Sequence, residues 1–266
     1  MNEDRQIDIM GIVNLTDDSY FSPSRSTTSE DALTRISALL DEGADIIDIG
    51  ACSTRPGADP VSMSEEWRRL APVLKVLRNE YPDISISIDT FRSEIVSRAF
   101  DLIGPFMVND ISAGEDDPMM LQTVGSLGLE YVAMHKRGTP KTMSGLTDYQ
   151  DIMSEIIRYF EDFSEKAYCF GIQDWILDPG FGFAKTVEQN YEILNNLDRF
   201  KPLGRRVLAG VSRKSMIYKY LGISPEESLP ATQVLHLQAL RKGADVLRVH
   251  DVAEARRTLS LYKILA

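Results

Sequence analysis

Eight short apolar runs are spread along the chain, and each breaks off at polar or charged residues. Ile7 to Val13 stops at Asn14, Ile46 to Ile49 runs into Gly50-Ala51-Cys52-Ser53-Thr54-Arg55, and Ile84 to Ile88 stops at Asp89. Phe106 to Val108 precedes Asn109-Asp110, Tyr131 to Met134 precedes His135, and Trp175 to Leu177 precedes Asp178. Val207 to Val211 precedes Ser212-Arg213-Lys214, and Val246 to Val249 encloses Arg248 and is followed by His250. Several runs are almost continuously apolar, the pattern of parallel strands covered on both faces.

Between the runs, apolar positions recur with helical period. Leu33, Ile36, Leu39 and Leu40 share one face of a helix predicted over 29–42, closed by Gly43. Residues 64–80 repeat the design, with Ser64 and Glu66 in the first turn and Pro82 past the end. Further helices are predicted from Ser93 to Leu102, Met119 to Ser126, Tyr149 to Tyr168 and Val187 to Asn196. A short helix near 213–220, an interruption at Gly222 and Pro225, a longer helix over 226–242 and a last one over 252–264 complete the series. Eight alternating units predict an α/β fold, a (β/α)8 TIM barrel with right-handed crossovers. A doubly wound open sheet shows the same alternation, but it gathers functional residues near one switch point. Here they follow all eight runs.

The length of 266 residues suits one such barrel, and no linker-like stretch divides it, so residues 1–266 are expected to form a single domain. A net charge of −11 argues against a nucleic-acid surface, which needs clustered Lys and Arg. It leaves room for a small anion held by local cations. No apolar run reaches the ~18 residues of a membrane span, and the acidic N-terminus is unlike a signal peptide, so a cytoplasmic protein is expected. Cys52 and Cys169 are too few for a Cys-based zinc site; Cys169 reads as a packing residue near a helix end, and Cys52 sits in a strand-end loop.

The strongest local signal is Asp178-Pro179-Gly180-Phe181-Gly182-Phe183-Ala184-Lys185. Pro and two glycines directly after a strand shape a tight loop. Its carboxylate either caps the next helix or, beside Phe183, meets a flat heterocycle. Asp89 and Asn109 end their strands at the same level, and carboxylates with an amide suit an amino-pyrimidine edge. Asp48, alternating within its strand, and Asp110, placed to cap a helix, read as structural. Arg55, Lys214, Arg248 and His250 supply candidate cations, three of them after strands seven and eight, where barrels often bind phosphate. Arg213 reads equally well as a surface helix residue, and His236 as a packing or surface residue. Zinc-hydrolase, glycosidase and nucleophile-elbow patterns do not occur: there is no His-x-His pair, no pair of strand-end glutamates and no G-x-S-x-G.

Across nearly its whole length the chain resembles the dihydropteroate synthase family. The resemblance is carried by Met10-Gly11-Ile12-Val13-Asn14-Leu15-Thr16, Ser53-Thr54-Arg55-Pro56-Gly57-Ala58, Ser87-Ile88-Asp89-Thr90 and Asn109-Asp110-Ile111. It continues through Met134-His135, Asp178-Pro179-Gly180-Phe181-Gly182-Phe183, Ser212-Arg213-Lys214-Ser215 and Arg248-Val249-His250-Asp251-Val252. It implies condensation of 6-hydroxymethyl-7,8-dihydropterin diphosphate with 4-aminobenzoate, with diphosphate lost before the amine attacks. It further implies a pterin held by Asp89, Asn109, Met134, Asp178 and Lys214, and a diphosphate held by Asn14, through Mg2+, with Arg248 and His250. The aminobenzoate site would be shaped by Thr54, Arg55, Pro56, Phe183 and Ser215, and catalysis carried by Asp89, Lys214, Arg55 and Asp178. A homodimer built from helices late in the chain is also implied.

The family's usual Thr-Pro-Asp-Ser-Phe is Thr16-Asp17-Asp18-Ser19-Tyr20 here, followed by Phe21-Ser22-Pro23-Ser24-Arg25, and its usual Gly-Glu before Ser-Thr-Arg is Ala51-Cys52. Two other readings share the fold. A folate-dependent methyltransferase would keep the ring-binding residues without needing the cation set, and a non-catalytic pterin-binding paralogue would bind without turnover. On the synthase reading, Arg248→Ala is expected to weaken diphosphate binding and leave a phosphate-free pterin nearly unaffected.

Overall fold

Strand β1 (Asp8–Asn14) pairs in parallel with β2 (Ile46–Gly50) on one side and with β8 (Val246–Val249) on the other. That closes the sheet, which runs β1, β2, β3 (Ser85–Asp89), β4 (Met107–Asp110), β5 (Glu130–Met134), β6 (Trp175–Asp178), β7 (Arg206–Ala209) and β8 around a barrel. The structure, a computed structural model, describes residues 5–15, 29–52, 61–139 and 142–265. The closed order excludes the open sheet.

The helices that return the chain are α1 (Ser29–Asp41), α2 (Met63–Glu80), α3 (Ser93–Ile103), α4 (Met120–Leu127), α5 (Ile152–Cys169) and α6 (Val187–Asn195). After β7 come α7 (Ser215–Leu221) and α8 (Leu229–Arg241), and after β8 comes α9 (Val252–Leu265). Local chemistry sets their starts. Ser62, not Ser64, caps α2 by accepting from the Glu65 amide. Asp151 caps α5 through the Ser154 amide, so that helix begins three residues later than its apolar period suggests. Thr186 and Gln189 form a reciprocal capping box on α6. A 3-10 segment, Leu197–Leu203, precedes β7 and has no counterpart in the sequence expectations.

Inside the barrel, Met10, Ile46, Met107, Val132, Ile176, Leu208 and Val246 form an apolar plug. Side chains alternate along a strand, so the inward residue above each plug position lies two residues further on. Those positions are Ile12, Asp48, Asn109, Met134, Asp178, Gly210 and Arg248. On β2, β4, β6 and β8 the barrel thus changes from hydrocarbon to hydrogen-bonding side chains in one step of the pleat. Alternate positions such as Ile9, Val13, Ile47, Ile49, Ile88 and Leu177 face the helices and are fully buried, each contributing roughly 1.5–3 kcal/mol by burial.

Candidate active site

The first polar layer above the plug is organised by Asp48, which has no solvent exposure. It accepts hydrogen bonds from Ser87 Oγ at 2.6 Å, Asn109 Nδ2 at 3.2 Å and Arg248 Nε at 2.7 Å. Arg248 also donates through Nη2 to Asp89 Oδ2 at 2.9 Å. Asp48 is thus the structural strand residue expected from sequence, and its partners give that role a place in the site. It lies beneath the site and orients Asn109 and Arg248.

Asp89, Met134 and Asp178 end β3, β5 and β6, and Asn109 stands one residue before the end of β4, with Asp89 beside Asn109 and Met134 beside Asp178 in register. Burial pushes the Asp89 carboxyl up to about 7; Arg248 opposes this, while Asp48, Glu66 and Asp110 add to it. Burial also raises Asp178, against the pull of Lys214 and a hydrogen bond from the Gly180 amide at 2.7 Å. Lys214, in the N-cap position of α7, donates to the Phe181 carbonyl and lies 5.0 Å from the centre of the Phe183 ring. Burial brings its ammonium down to about 8, with Asp178 holding it up. Ring-accepting carboxylates, an amide, a thioether and a lysine beside a phenyl ring thus surround one cavity mouth. The arrangement can grip a flat, hydrogen-bonding heterocycle and place an amine near it.

On the other side, Asn14 ends β1 opposite Gly50, and Gly50 is paired with Asp89. His250 follows β8; its amide bonds Ser212 Oγ at 3.2 Å and its carbonyl accepts from Arg35 at 2.7 Å. Burial, with Arg248 nearby, drives the His250 imidazole down to about 3, so it is neutral at pH 7 and not one of the cations expected from sequence. Ser215 opens α7, half-buried beside Lys214. Thr54, Arg55 and Pro56, and the altered first loop from Asp17 to Arg25, lie outside the described residues.

Several residues take roles the sequence did not suggest. Arg213 is no surface residue: it is buried and paired bidentately with Asp251, at 2.8 and 2.9 Å, and it donates to the Pro225 and Glu226 carbonyls. Cys169 is exposed, not packed. His236 is fully buried on α8, so of its two sequence readings packing is correct. Asp110 accepts from the Ser112 and Gly114 amides and from the Tyr131 hydroxyl, fixing the β4–α4 turn from outside the cavity. Glu66, a fully buried carboxylate on α2, accepts from Thr90 at 2.6 Å and pairs with Arg92. Arg92 also reaches Cys52 Sγ at 3.4 Å and the Val61 carbonyl at 2.6 Å, the described residues on either side of the 53–60 segment. Lys185, also buried, is bonded inside the loop after β6.

An eight-stranded parallel barrel with this ring-gripping mouth at its strand ends defines a pterin-binding enzyme. The sequence profile of that family, the pterin binding enzymes, matches residues 10–250. A dihydropteroate synthase from Synechocystis sp. is 42% identical over 247 residues, covering 92% of this chain and 85% of the relative. The solved Yersinia pestis dihydropteroate synthase, in a sulfonamide complex, superposes with a TM-score of 0.93 at 32% identity, over 100% of this chain and 96% of that one. The Xanthomonas albilineans dihydropteroate synthase, solved with 4-aminobenzoic acid, gives 0.88 at 38% identity, covering 100% and 94%. The chain belongs to the pterin-binding enzymes and, within them, to the dihydropteroate synthases, transferases of folate biosynthesis.

Proposed function

We propose that this site joins 6-hydroxymethyl-7,8-dihydropterin diphosphate to 4-aminobenzoate, releasing 7,8-dihydropteroate and diphosphate. The observation that carries the reading is the convergence of Asp89, Asn109, Asp178 and Lys214 on one opening, with Arg248 at its edge. Asp89 and Asp178 accept the ring's N–H groups, Asn109 donates and accepts, Met134 packs against the ring, and Lys214 donates to a ring acceptor. Arg248 binds the diphosphate as a charged donor, and His250 donates to it beside Arg248. The C–O bond to diphosphate breaks, a C–N bond to the aminobenzoate amine forms, and that amine gives up one proton. The carboxylates stabilise the positive charge that develops on the pterin methylene as diphosphate leaves. Phe183, Ser215 and the Thr54-Arg55-Pro56 segment would line the aminobenzoate side, with Arg55 meeting its carboxylate.

Magnesium keeps much of its water and takes few protein ligands besides phosphate oxygens. A single amide oxygen, from Asn14 at the end of β1, suits that habit. Bound there with the diphosphate, the ion would neutralise leaving-group charge.

The exposed apolar residues Tyr220, Leu221, Val234, Leu261, Ile264 and Leu265 lie on α7, α8 and α9 and support a homodimer formed by these late helices. Two cysteines free of disulfides suit a reducing cytoplasm, and no helix among the described residues is long and apolar enough to cross a membrane.

The test is incubation of the purified protein with both substrates and Mg2+, following dihydropteroate by chromatography. Product that disappears on chelation and returns with Mg2+ supports the reading. Demonstrated pterin binding without product would sink it in favour of a binding paralogue.

A further inference from the structure

Lys185 is the last residue of the motif that begins at Asp178, and the proposed chemistry makes no use of it. Its ammonium is buried and has three kinds of partner: the Gly180 carbonyl at 2.9 Å, the Phe183 carbonyl at 2.8 Å and His135 Nδ1 at 3.1 Å. The His135 carbonyl, at 3.4 Å, is a fourth acceptor, so every N–H of the buried amine has a partner. Burial, with Lys185 and Arg137 nearby, pushes the His135 imidazole down to about 2, so it is neutral and Nδ1 can offer a lone pair. The His135 ring is itself held edge-on by Tyr159, with centroids 4.9 Å apart.

The loop thus contained is the one that carries Phe183. Gly180 has φ +70° and packs so closely that a Cβ there would run into the His135 carbonyl oxygen. The Phe183 amide closes a turn onto Gly180 O at 3.1 Å, and the Gly182 amide bonds Asn190 Oδ1 at 2.7 Å. Lys214 takes the intervening Phe181 carbonyl. Two ammonium groups therefore divide the loop's carbonyls between them, Lys214 from the cavity side and Lys185 from the strand side.

We propose that Lys185 is a positioning residue, tying the Gly180-to-Phe183 turn to His135 after β5 and so setting where Phe183 stands in the second-substrate site. The inference rests on the reading of Phe183 as a wall of that site. A second consequence is electrostatic: below about pH 7, where Lys185 carries its charge, it favours the ionised form of Asp178.

The test compares the wild type with K185M and K185R, each checked for folding by circular dichroism and thermal melting. Burial brings the Lys185 ammonium down to about 7, with Asp178 holding it up, so at pH 8 it acts chiefly as a neutral amine donor; there K185M is expected to raise KM for 4-aminobenzoate about tenfold, the scale of one lost hydrogen bond, with KM for the pterin diphosphate changed by less than about twofold. K185R is expected to recover most of the loss. K185M should also move the acidic limb of pterin binding, read by calorimetry without turnover, to higher pH, and K185R should leave it in place. Equal rises in both KM values, or unchanged values in a fully folded K185M, overturn the inference. If K185M does not fold, K185Q, which retains an N–H donor for one carbonyl, replaces it with the same split expected. Absence of dihydropteroate from the wild type sinks the proposed reaction; the pH limb of pterin binding then decides the role of Lys185 alone.

Discussion

Arg248 on β8 reaches across the barrel mouth to Asp48 on β2, Nε 2.7 Å from Oδ2, and shares its Nη2 with Asp89 at 2.9 Å. One guanidinium serves two carboxylates, one of them wholly buried. Burial disfavours its charge, yet Asp48 and Asp89 carry Arg248 above its usual pKa. The anion-binding group and the ring-binding group are therefore electrically joined before any ligand arrives.

Replacing Asp48 by Asn removes the buried half of that arrangement. Loss of one partner from a buried ion pair costs about 3 kcal/mol, expected as a lowered urea midpoint with unchanged slope. Asp48 also helps to raise Asp89, so D48N should ionise Asp89 at lower pH and shift the acidic limb of pterin affinity downward. A variant as stable as wild type with an unmoved limb would deny Asp48 both roles.

Arg248→Ala now carries a different expectation from the one sequence suggests. Arg248 holds the Asp89 pKa down, so its removal should weaken binding of a phosphate-free pterin at neutral pH as well as binding of the diphosphate. Calorimetry at pH 7 and pH 9 separates the effects: the phosphate-free loss should shrink at pH 9, where Asp89 ionises anyway, while the diphosphate loss persists.

The pH dependence of the free protein follows from the sign of the Asp89 shift. Its pKa in the fold, about 7, exceeds the ordinary 3.8, so the folded state keeps a proton that the unfolded chain releases. This group's contribution to stability is complete below pH 3.8 and is lost as pH rises through about 7. Pterin binding runs the other way, strengthening through pH 7 as the acceptor carboxylate forms. It should weaken again above about 8 as Lys214 loses its charge. Calorimetric titration of a phosphate-free pterin from pH 5.5 to 9.5 should give a bell, and D89N should reduce its acidic side to the part that the raised Asp178 sets.

Arg92 is expected to matter to the second substrate without touching the first. It joins Cys52 to Val61 across the 53–60 segment and is the partner of a fully buried Glu66. R92A strands that carboxylate, an expected loss of about 3 kcal/mol. The double variant R92A/E66Q should regain much of the stability yet keep a raised KM for 4-aminobenzoate. A double variant with wild-type kinetics would reduce Arg92 to a structural role.

The barrel was readable because its alternation is local: apolar strands, helical periods and turn residues act within 10 to 20 residues. Asp89, Asn109 and Asp178 were readable for the same reason, each standing at the visible end of a run. Asp48 was legible as a structural strand residue, but not as the partner of Arg248, because it interrupts a run instead of ending it. Counting by twos from Ile46 puts it on the inward face, a signal present in the sequence but decisive only once the pleat's phase is known. Arg213 depends on Asp251, 38 residues away, and Lys185 on His135, 50 residues away. No local pattern announces such partners, so a buried cation looks like a surface one. Likewise, the neutrality of His250 is a property of its burial, not of its type.

Because β1 finds its second neighbour only in β8, the cylinder is joined only once the eighth of its strands has been made. A nascent chain halted before residue 246 has seven strands and two raw margins, β1 and β7, each with unpaired amides and carbonyls. It also lacks the guanidinium that neutralises Asp48 and Asp89. Such a fragment is less a reduced catalyst than a sticky ribbon with uncompensated charge at its centre, so chaperone engagement should persist until β8 emerges.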